Sequence, residues 1–385
     1  MISKKKIVFL SGKKGGFDAM LSLLKLIKKK NDFNLKVLMT DQHLNKKFGN
    51  TYLNCQKEIG VNSVIQLKLN VKKDDSLSRS IAMSNLFNKL AKLFNKLKPD
   101  LLIVYGDRME SLVASLVSIN FDIPICHFQG GDISGNLDEK IRHSITKLSD
   151  LHLTSNKISL SRVRKMGESK KFSFDIGDSH IDSIKKIKFK KDKIRSLKKK
   201  YLINQHYAVF MLHPDGISAR KNAIYCKNAL SALKNLDLKI ICIYPCSDIG
   251  HEGIINELKK FSNKFKKFHL YKYIPHDEFV ELLKNSQFFI GNSSSGIIES
   301  TYLKIPFINL GNRQKGRLCS KNILHSSFKV AEIKEKVKIS QSKKFKKNQL
   351  QKANLLYGNG KSYEKAYRII KSNINLLSQY KTFHE

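Results

Sequence analysis

Gly291 to Arg317 read G-N-S-S-S-G-I-I-E-S-T-Y-L-K-I-P-F-I-N-L-G-N-R-Q-K-G-R. A short apolar strand, Gln287 to Ile290, precedes this stretch, and Gly291 and Asn292 break it. Ser293 to Gly296 then form a small, flexible loop, Ile297 to Leu303 a short helix, and Pro306 to Leu310 the next strand. Strand, small-residue loop and helix in that order aim backbone N–H groups at one point. A helix N-terminus has unpaired donors and a partial positive charge, which suits phosphate. Glu299, about one turn into the helix, can accept hydrogen bonds from ribose hydroxyls, and Arg313 and Arg317 can close over the phosphates. The plain alternative is an ordinary βαβ turn with a serine N-cap. The whole run, with Glu299 and the arginine loop, favours a nucleotide-diphosphate site.

Upstream, short apolar runs alternate with longer amphipathic ones. Strands are expected at Ile7–Leu10, Leu35–Met39, Val64–Leu67, Leu101–Tyr105, Pro124–Phe128 and Leu151–Thr154. Helices are expected at Phe17–Lys29, near Asn45–Ile59, and at Ser76–Leu97, Met109–Ile119 and Leu137–Leu148. Such winding implies parallel strands with right-handed crossovers and ligands at the strand carboxyl ends. A break falls near Phe174–Asp182, and Lys185–Lys200 reads as a lysine-crowded, solvated helix. The alternation restarts with Tyr207–Leu212, Lys239–Tyr244, Phe268–Leu270, Gln287–Ile290 and Phe307–Leu310, and Ser362–Leu377 reads as a final helix. The economical α/β architecture is two doubly wound domains facing a cleft.

The chain has 385 residues, room for two substantial cores. No apolar run approaches the length of a membrane span, and the lysine-rich N-terminus reads as a first buried strand rather than a signal peptide. Six scattered cysteines show no zinc-ligand spacing, which fits a reducing cytoplasm and no metal. The formal net charge of +40 raises the question of nucleic acid. The lysines are spread along nearly every helix, with no arginine-rich arm, finger spacing or aromatic RNA-binding strand, so specific nucleic-acid binding is not expected.

Candidate chemistry gathers at strand ends. Gly106-Asp107-Arg108 follows one strand and Gln129-Gly130-Gly131-Asp132 the next; Asp138, Glu139, Arg142 and His143 come after them. Asp107, Asp132 and Asp138 can converge on one cleft wall, where paired acids can serve as base and acid if their surroundings split their pKa values. The alternative is a surface pair of Asp138 with Arg142 and helix caps at Asp107 and Asp132. His213 ends a strand at the cleft, whereas His127 is expected to be buried support. Gly12-Lys13-Lys14-Gly15-Gly16 offers lysines to phosphate but is neither a dinucleotide fingerprint nor a P-loop.

Taken together, these residues resemble the UDP-N-acetylglucosamine 2-epimerase family, and more closely its hydrolysing branch of sialic-acid-type sugar synthesis. The marks are Gly106-Asp107-Arg108, H-F-Q-G-G-D from His127, D-E-K-I-R-H-S-I-T-K-L-S from Asp138, Leu212-His213-Pro214, Gly291–Glu299, Gly311–Arg317 and Tyr357-Gly358-Asn359-Gly360-Lys361. The resemblance covers almost the whole chain. It implies two Rossmann-like domains in a glycosyltransferase-B arrangement, divided as residues 1–178, 179–366 and a C-terminal helix, 367–385, returning to the first domain. It implies a UDP-sugar substrate and no metal or nicotinamide cofactor, and it leaves a homodimer open. The implied reaction removes the C2 proton with anti elimination of UDP, giving a 2-acetamidoglucal; water then adds, yielding N-acetylmannosamine and UDP. Asp107, Asp132 and Asp138 are the implied acid/base residues and His213 the partner of the departing diphosphate. Lys14, Ser294, Ser295, Gly296, Glu299 and Arg313 are the implied nucleotide contacts.

Three departures bear on this. The family's first turn usually reads G-T-R-x-E; here Lys14 keeps a charge without the arginine fork, and Gly16 replaces the acid. Gln129 stands where the non-hydrolysing branch carries a catalytic Glu, and an amide cannot perform that proton transfer. One residue is missing between Asp132 and Asp138. The departures keep a related nucleotide sugar of the bacillosamine type open, and a glycosyltransferase of the same architecture is the runner-up by fold.

Overall fold

A computed structural model describes residues 4–135, 137–350, 356–377 and 381–384. The first half winds seven parallel strands, β1 (Lys6–Ser11), β2 (Asn34–Thr40), β3 (Val64–Leu67), β4 (Leu101–Tyr105), β5 (Ile125–Phe128), β6 (Leu151–Thr154) and β7 (Ser173–Asp175), in the order β3-β2-β1-β4-β5-β6-β7. The connecting helices are α1 (Lys14–Lys30), α2 (Tyr52–Ile59), α3 (Ser76–Leu97), α4 (Met109–Asn120), α5 (Leu137–Leu148) and α6 (Lys157–Lys165). Strands β1, β4 and β5 are almost entirely buried, as expected for a parallel sheet covered on both faces. One face is closed by α1, with Phe17, Met20 and Leu24. The other is closed by α3, α4 and α5, with Leu86, Leu90, Val117, Ile141 and Ile145.

The second half has six parallel strands, β8 (Tyr207–Met211), β9 (Lys239–Ile243), β10 (Phe268–Tyr271), β11 (Phe289–Gly291), β12 (Phe307–Leu310) and β13 (Ile323–Ser326), in the order β10-β9-β8-β11-β12-β13. Its helices follow α7 (Ser179–Lys186) and α8 (Lys191–Lys200): α9 (Ala219–Leu233), α10 (His251–Lys264), α11 (His276–Lys284), α12 (Ser294–Leu303), α13 (Val330–Gln341) and the single turn α14 (Lys343–Phe345). Strand order reverses between β1 and β4 in the first sheet and between β8 and β11 in the second. Crevices open at such switch points, and here they are bounded by Gly12–Lys14 with Gly106–Arg108, and by Leu212–Pro214 with Asn292–Ser294. The expected pair of doubly wound sheets facing a cleft is what the chain forms. The final helix, α15 (Ser362–Asn373), buries Ala366, Tyr367 and Ile370 against α1 in the core of the first half.

Several local expectations change. Asn45–Ile59 is not one helix: short 3₁₀ turns span Asp41–Leu44 and Lys46–Phe48, Gly49 and Asn50 take positive φ, and α2 begins only at Tyr52. The break at Phe174–Asp182 contains the edge strand β7 and the start of α7, capped by the Asp178 carboxylate on the His180 N–H. The lysine-crowded Lys185–Lys200 is not one helix: it holds the end of α7, a non-helical link and then α8, whose Leu197 is buried. The chain crosses between halves at Gly177 and again near Gly358. The two crossings touch, with the Asp178 N–H donating to the Tyr357 carbonyl at 2.8 Å. Both glycines have φ near +90°, and a Cβ on Gly358 would press on the Gly177 Cα.

Candidate active site

The reading of Ser293–Gly296 as a flexible loop is corrected by the structure. Ser293 is the N-cap of α12, its hydroxyl accepting from the Ser295 N–H, and Ser294 to Gly296 form the first turn. Gly296 packs instead of binding: a Cβ there would overlap the Phe307 ring, and its N–H is taken by the Ser293 carbonyl. Ser294 and Ser295 line the cleft. So does Glu299, whose Oε1 accepts from His276 Nε2 at 2.8 Å, while the buried Oε2, with the Ser295 hydroxyl nearby, makes no hydrogen bond among the described residues. Burial opposes ionisation of Glu299, but the His276 hydrogen bond, the nearby His276 and His180 and the Ser295 hydroxyl together outweigh it and hold the carboxyl below its usual range. An ionised acceptor with an unused lone pair, facing a cleft beside a helix N-terminus, is suited to a ribose diol.

Asn292 binds three loops of the second half together. Its side chain exchanges two hydrogen bonds with the His213 backbone, at 2.7 and 2.9 Å, and its carbonyl accepts from Arg313 and Gln314. His213 Nδ1 accepts from the Cys246 N–H at 3.0 Å, so the proton of the neutral ring sits on Nε2. Burial, with Arg313 and Lys13 beside it, drives the His213 pKa well below the usual value, leaving a neutral N–H donor in the cleft.

From the first half, Asp107 and Asp138 enter the same cleft. Asp107 is paired with the buried Arg142, so Arg142 is not the i,i+4 surface partner of Asp138. Asp138 instead faces Arg313 across the cleft at 3.5 Å. The two carboxyls are driven apart. Burial would raise the Asp107 pKa, but Arg142 and then Lys13, Arg317 and Arg313 hold it down to about 2. Burial and the nearby Asp107 raise that of Asp138, with Arg313 pulling the other way. A fixed anion beside a carboxyl of raised pKa is the arrangement expected of an acid/base site.

Asp132 does not join them on the cleft wall. It is 3% exposed, and its Oδ1 accepts from Ser159 at 2.5 Å and Ser155 at 3.0 Å, while Arg317 approaches Oδ2 at 3.5 Å. The turn Gly130-Gly131 directs it backward: a Cβ on Gly131 would overlap the Ser159 carbonyl. His127 is fully buried support, bonded to the Gly106 carbonyl and Thr146. Lys14 lines the cleft but is committed to Asp18 at 3.2 Å, the Ile274 carbonyl at 3.2 Å and the face of Tyr273. Gly15 has open space around its Cα, so no crowding excludes a side chain there.

The family described as UDP-N-acetylglucosamine 2-epimerase matches residues 25–371 of this sequence. The chain belongs to that family. A UDP-N-acetylglucosamine 2-epimerase of Neisseria meningitidis serogroup B is 31% identical over 330 residues, 86% of this chain and 85% of the relative. A GDP/UDP-N,N'-diacetylbacillosamine 2-epimerase (hydrolyzing) of Campylobacter jejuni is 33% identical over 356 residues, 90% of each. Among solved structures, the fold is similar to an S. aureus MnaA–UDP co-structure, with TM-score 0.80, 19% identity and coverage of 99% of this chain and 100% of that one. It is also similar to the N. meningitidis UDP-GlcNAc 2-epimerase bound to UDP-GlcNAc, with TM-score 0.77, 18% identity and coverage of 96% and 100%. The two Rossmann-like halves of this epimerase-family chain thus have the glycosyltransferase-B arrangement.

The sequence motifs contained Arg108 and Gln129 but gave them no partners, and Asp248, Asp178 and His180 were not among the expected site residues. Arg108 pairs with Asp248 across the two halves and with Glu110 in its own half. Asp248 also faces Arg313 at 3.5 Å. Gln129, at φ +61°, donates from Nε2 to Asp178 Oδ2 at 2.5 Å, and Asp178 Oδ1 binds His180 Nδ1 at 2.7 Å. Both Gln129 and His180 line the cleft. The signal was present in F-D-I-G-D-S-H-I-D, where two polar residues one apart open a helix, but without the fold nothing tied it to β4 and β5.

Proposed function

We propose that this member of the epimerase family is a hydrolysing 2-epimerase. On this reading it converts UDP-N-acetylglucosamine and water to N-acetylmannosamine and UDP in the cytoplasm. The observation that carries the reading is the pair Asp107 and Asp138, two carboxyls of divergent acidity in one cleft that also holds the α12 N-terminus and Arg313. We further place the division between halves at residue 178, where the first crossing lies, and the return to the first half near Gly358, ahead of α15, rather than at residue 366.

The diphosphate would rest against Ser294, Ser295 and Arg313, with the ribose on Glu299 and Lys14 flanking the nucleotide. His213 Nε2–H would donate to the departing phosphate oxygen. Asp138, the stronger base of the pair, would take the C2 proton, while Asp107, fixed by Arg142, would face the positive charge that develops at C1 as UDP leaves. Gln129 carries no proton it can transfer, which supports the hydrolysing outcome over a reversible one. The hydrolyzing bacillosamine 2-epimerase names of the Campylobacter and Legionella relatives favour a second substrate, the diacetylbacillosamine nucleotide, with the same chemistry.

The test is to incubate the enzyme with each UDP-sugar in D₂O and read the products by NMR. Free 2-epimerised sugar with deuterium at C2, and UDP in equal amount, is expected. Retention of the nucleotide on an epimerised sugar, or product without deuterium, contradicts the reading.

A further inference from the structure

Elimination followed by hydration at one carbon requires proton transfer on both of its faces: C2 loses a proton on one and gains a proton on the other. Asp138 can serve one face. It comes from α5, whose Ile141 and Ile145 pack with α3 and α4 on one side of the first sheet. Asp132, the third of the expected acid/base aspartates, is held out of the cleft by Ser155 and Ser159. His180 arrives from the other side, where Lys14 and Asp18 of α1 are paired with each other. It lies at the start of α7, which packs against α1 on the opposite face of that sheet, and its ring lines the same cleft as Asp107 and Asp138.

On the hydrolysing reading above, we propose that His180, oriented by Asp178, is the acid that delivers the new C2 proton on the face opposite Asp138. Asp178 Oδ1 accepts from the ring Nδ1 at 2.7 Å and from the His180 backbone N–H at 2.9 Å. Gln129 holds the other oxygen of Asp178, and the Tyr105 hydroxyl lies 3.2 Å from the same ring nitrogen. Nε2 makes no hydrogen bond among the described residues, which leaves its N–H for a ligand. The other charges around the ring come from three elements. Glu299 from α12 and Arg317 from the loop after β12 act on it with opposite sign. On α1, Lys14 and Asp18 are paired with each other, and at the start of α15 the Ser362 and Tyr363 N–H groups are bound to Asp182, one turn along α7. Burial disfavours the imidazolium, but Asp178 outweighs burial and raises the His180 pKa above its usual value. Protonated, the ring donates to Asp178 through Nδ1 and presents Nε2–H to the cleft.

The steps balance. Asp138 takes the C2 proton as the C1–O bond breaks and its electron pair leaves with UDP, forming the C1=C2 double bond. His180 Nε2–H then protonates C2, water oxygen bonds to C1, and the proton lost by that water returns to His180 through solvent. Asp138 releases its proton to solvent.

His180→Gln tests the assignment with UDP-N-acetylglucosamine or the diacetylbacillosamine nucleotide, whichever the wild type consumes. UDP release should persist while free sugar formation falls about 10²–10⁴-fold, and the unsaturated glycal should accumulate, visible by its olefinic C1 proton. Near-normal sugar formation overturns the assignment, as does an equal fall in UDP and sugar without glycal. Should His180→Gln fail to fold, Asp178→Asn gives a second reading. The high-pH limb of kcat, where His180 loses its proton, should move to lower pH, and an unmoved limb overturns the proposal. A wild type that releases no UDP from either substrate fails the functional reading itself, which is a distinct result.

Discussion

Asp107 and Asp138 bear most of the chemical argument, and each is best tested by its amide. Asp107→Asn and Asp138→Asn keep the shape but remove charge and proton transfer, so turnover should fall about 10²–10⁴-fold. UDP affinity, measured by calorimetry, should change little because the diphosphate is assigned to the other half. Asp132→Asn should behave differently: it replaces a buried acceptor of two serine hydroxyls, so the melting temperature should drop, and any loss of turnover should follow that loss of structure. The raised Asp138 pKa also fixes the acid limb of kcat/KM. Activity requires the carboxylate, so it should fail as pH decreases through a value above the ordinary 3.8, and Asp138→Asn should remove that limb. Asp107 works in the opposite sense. Its depressed pKa contributes stability that is complete above 3.8 and is lost as pH falls towards about 2. The motif residues were legible because their types and spacing are specific. Which of them faces the cleft was not, because Asp132 is turned away by contacts with Ser155 and Ser159, residues with no signal of their own. The Asp178–His180 pair was hidden for the same kind of reason: its partners Gln129 and Tyr105 belong to distant strands.

Helix α12 shows how one element sets the geometry of a site. Its first turn must lie close against β12, which is why position 296 is glycine. Gly296→Ala would drive a methyl into the Phe307 ring and should cost about 1–3 kcal/mol by overpacking. Because the displaced turn carries Ser294 and Ser295, the stabilisation that UDP confers on the wild type in a thermal melt should shrink in the same variant. Glu299→Gln should also shrink it without the loss of intrinsic stability. An unchanged UDP shift in both variants would remove α12 from the nucleotide site. Strands and helices were read well wherever apolar periodicity was strong: α3, β3, β4, α5 and β6 match the expected bounds. The misread elements, α2 and β7 with α7, are those where glycine, asparagine and aspartate at turns outweigh a short apolar pattern. Edge strand β13, whose His325 is exposed, gave too weak an alternation to be seen.

At the scale of the molecule, the halves meet through charge. Arg108 with Asp248, Arg313 with Asp138, and Lys47 with Glu252 at 2.9 Å each join one half to the other. The doubly wound pair was expected from the restart of alternation after residue 207, but these contacts were not, since their partners lie more than a hundred residues apart. Deleting residues 362–385 should leave α1 without its cover of Ala366, Tyr367 and Ile370. The truncated chain should then bind a hydrophobic dye and lose cooperative melting; a sharp, unshifted transition would show that α15 is dispensable.

That cover has a consequence for biogenesis. A ribosome delivers the chain from its N-terminus, so β1 to β7 emerge long before residue 362 does. The first sheet can pair its strands early, yet the groove on α1 that receives Tyr367 and Ile370 stays wet until the second sheet and then α15 have been made. Domains generally fold in the order of their synthesis; here the first to begin is among the last to finish, and a nascent chain stalled before residue 362 would present that groove to chaperones.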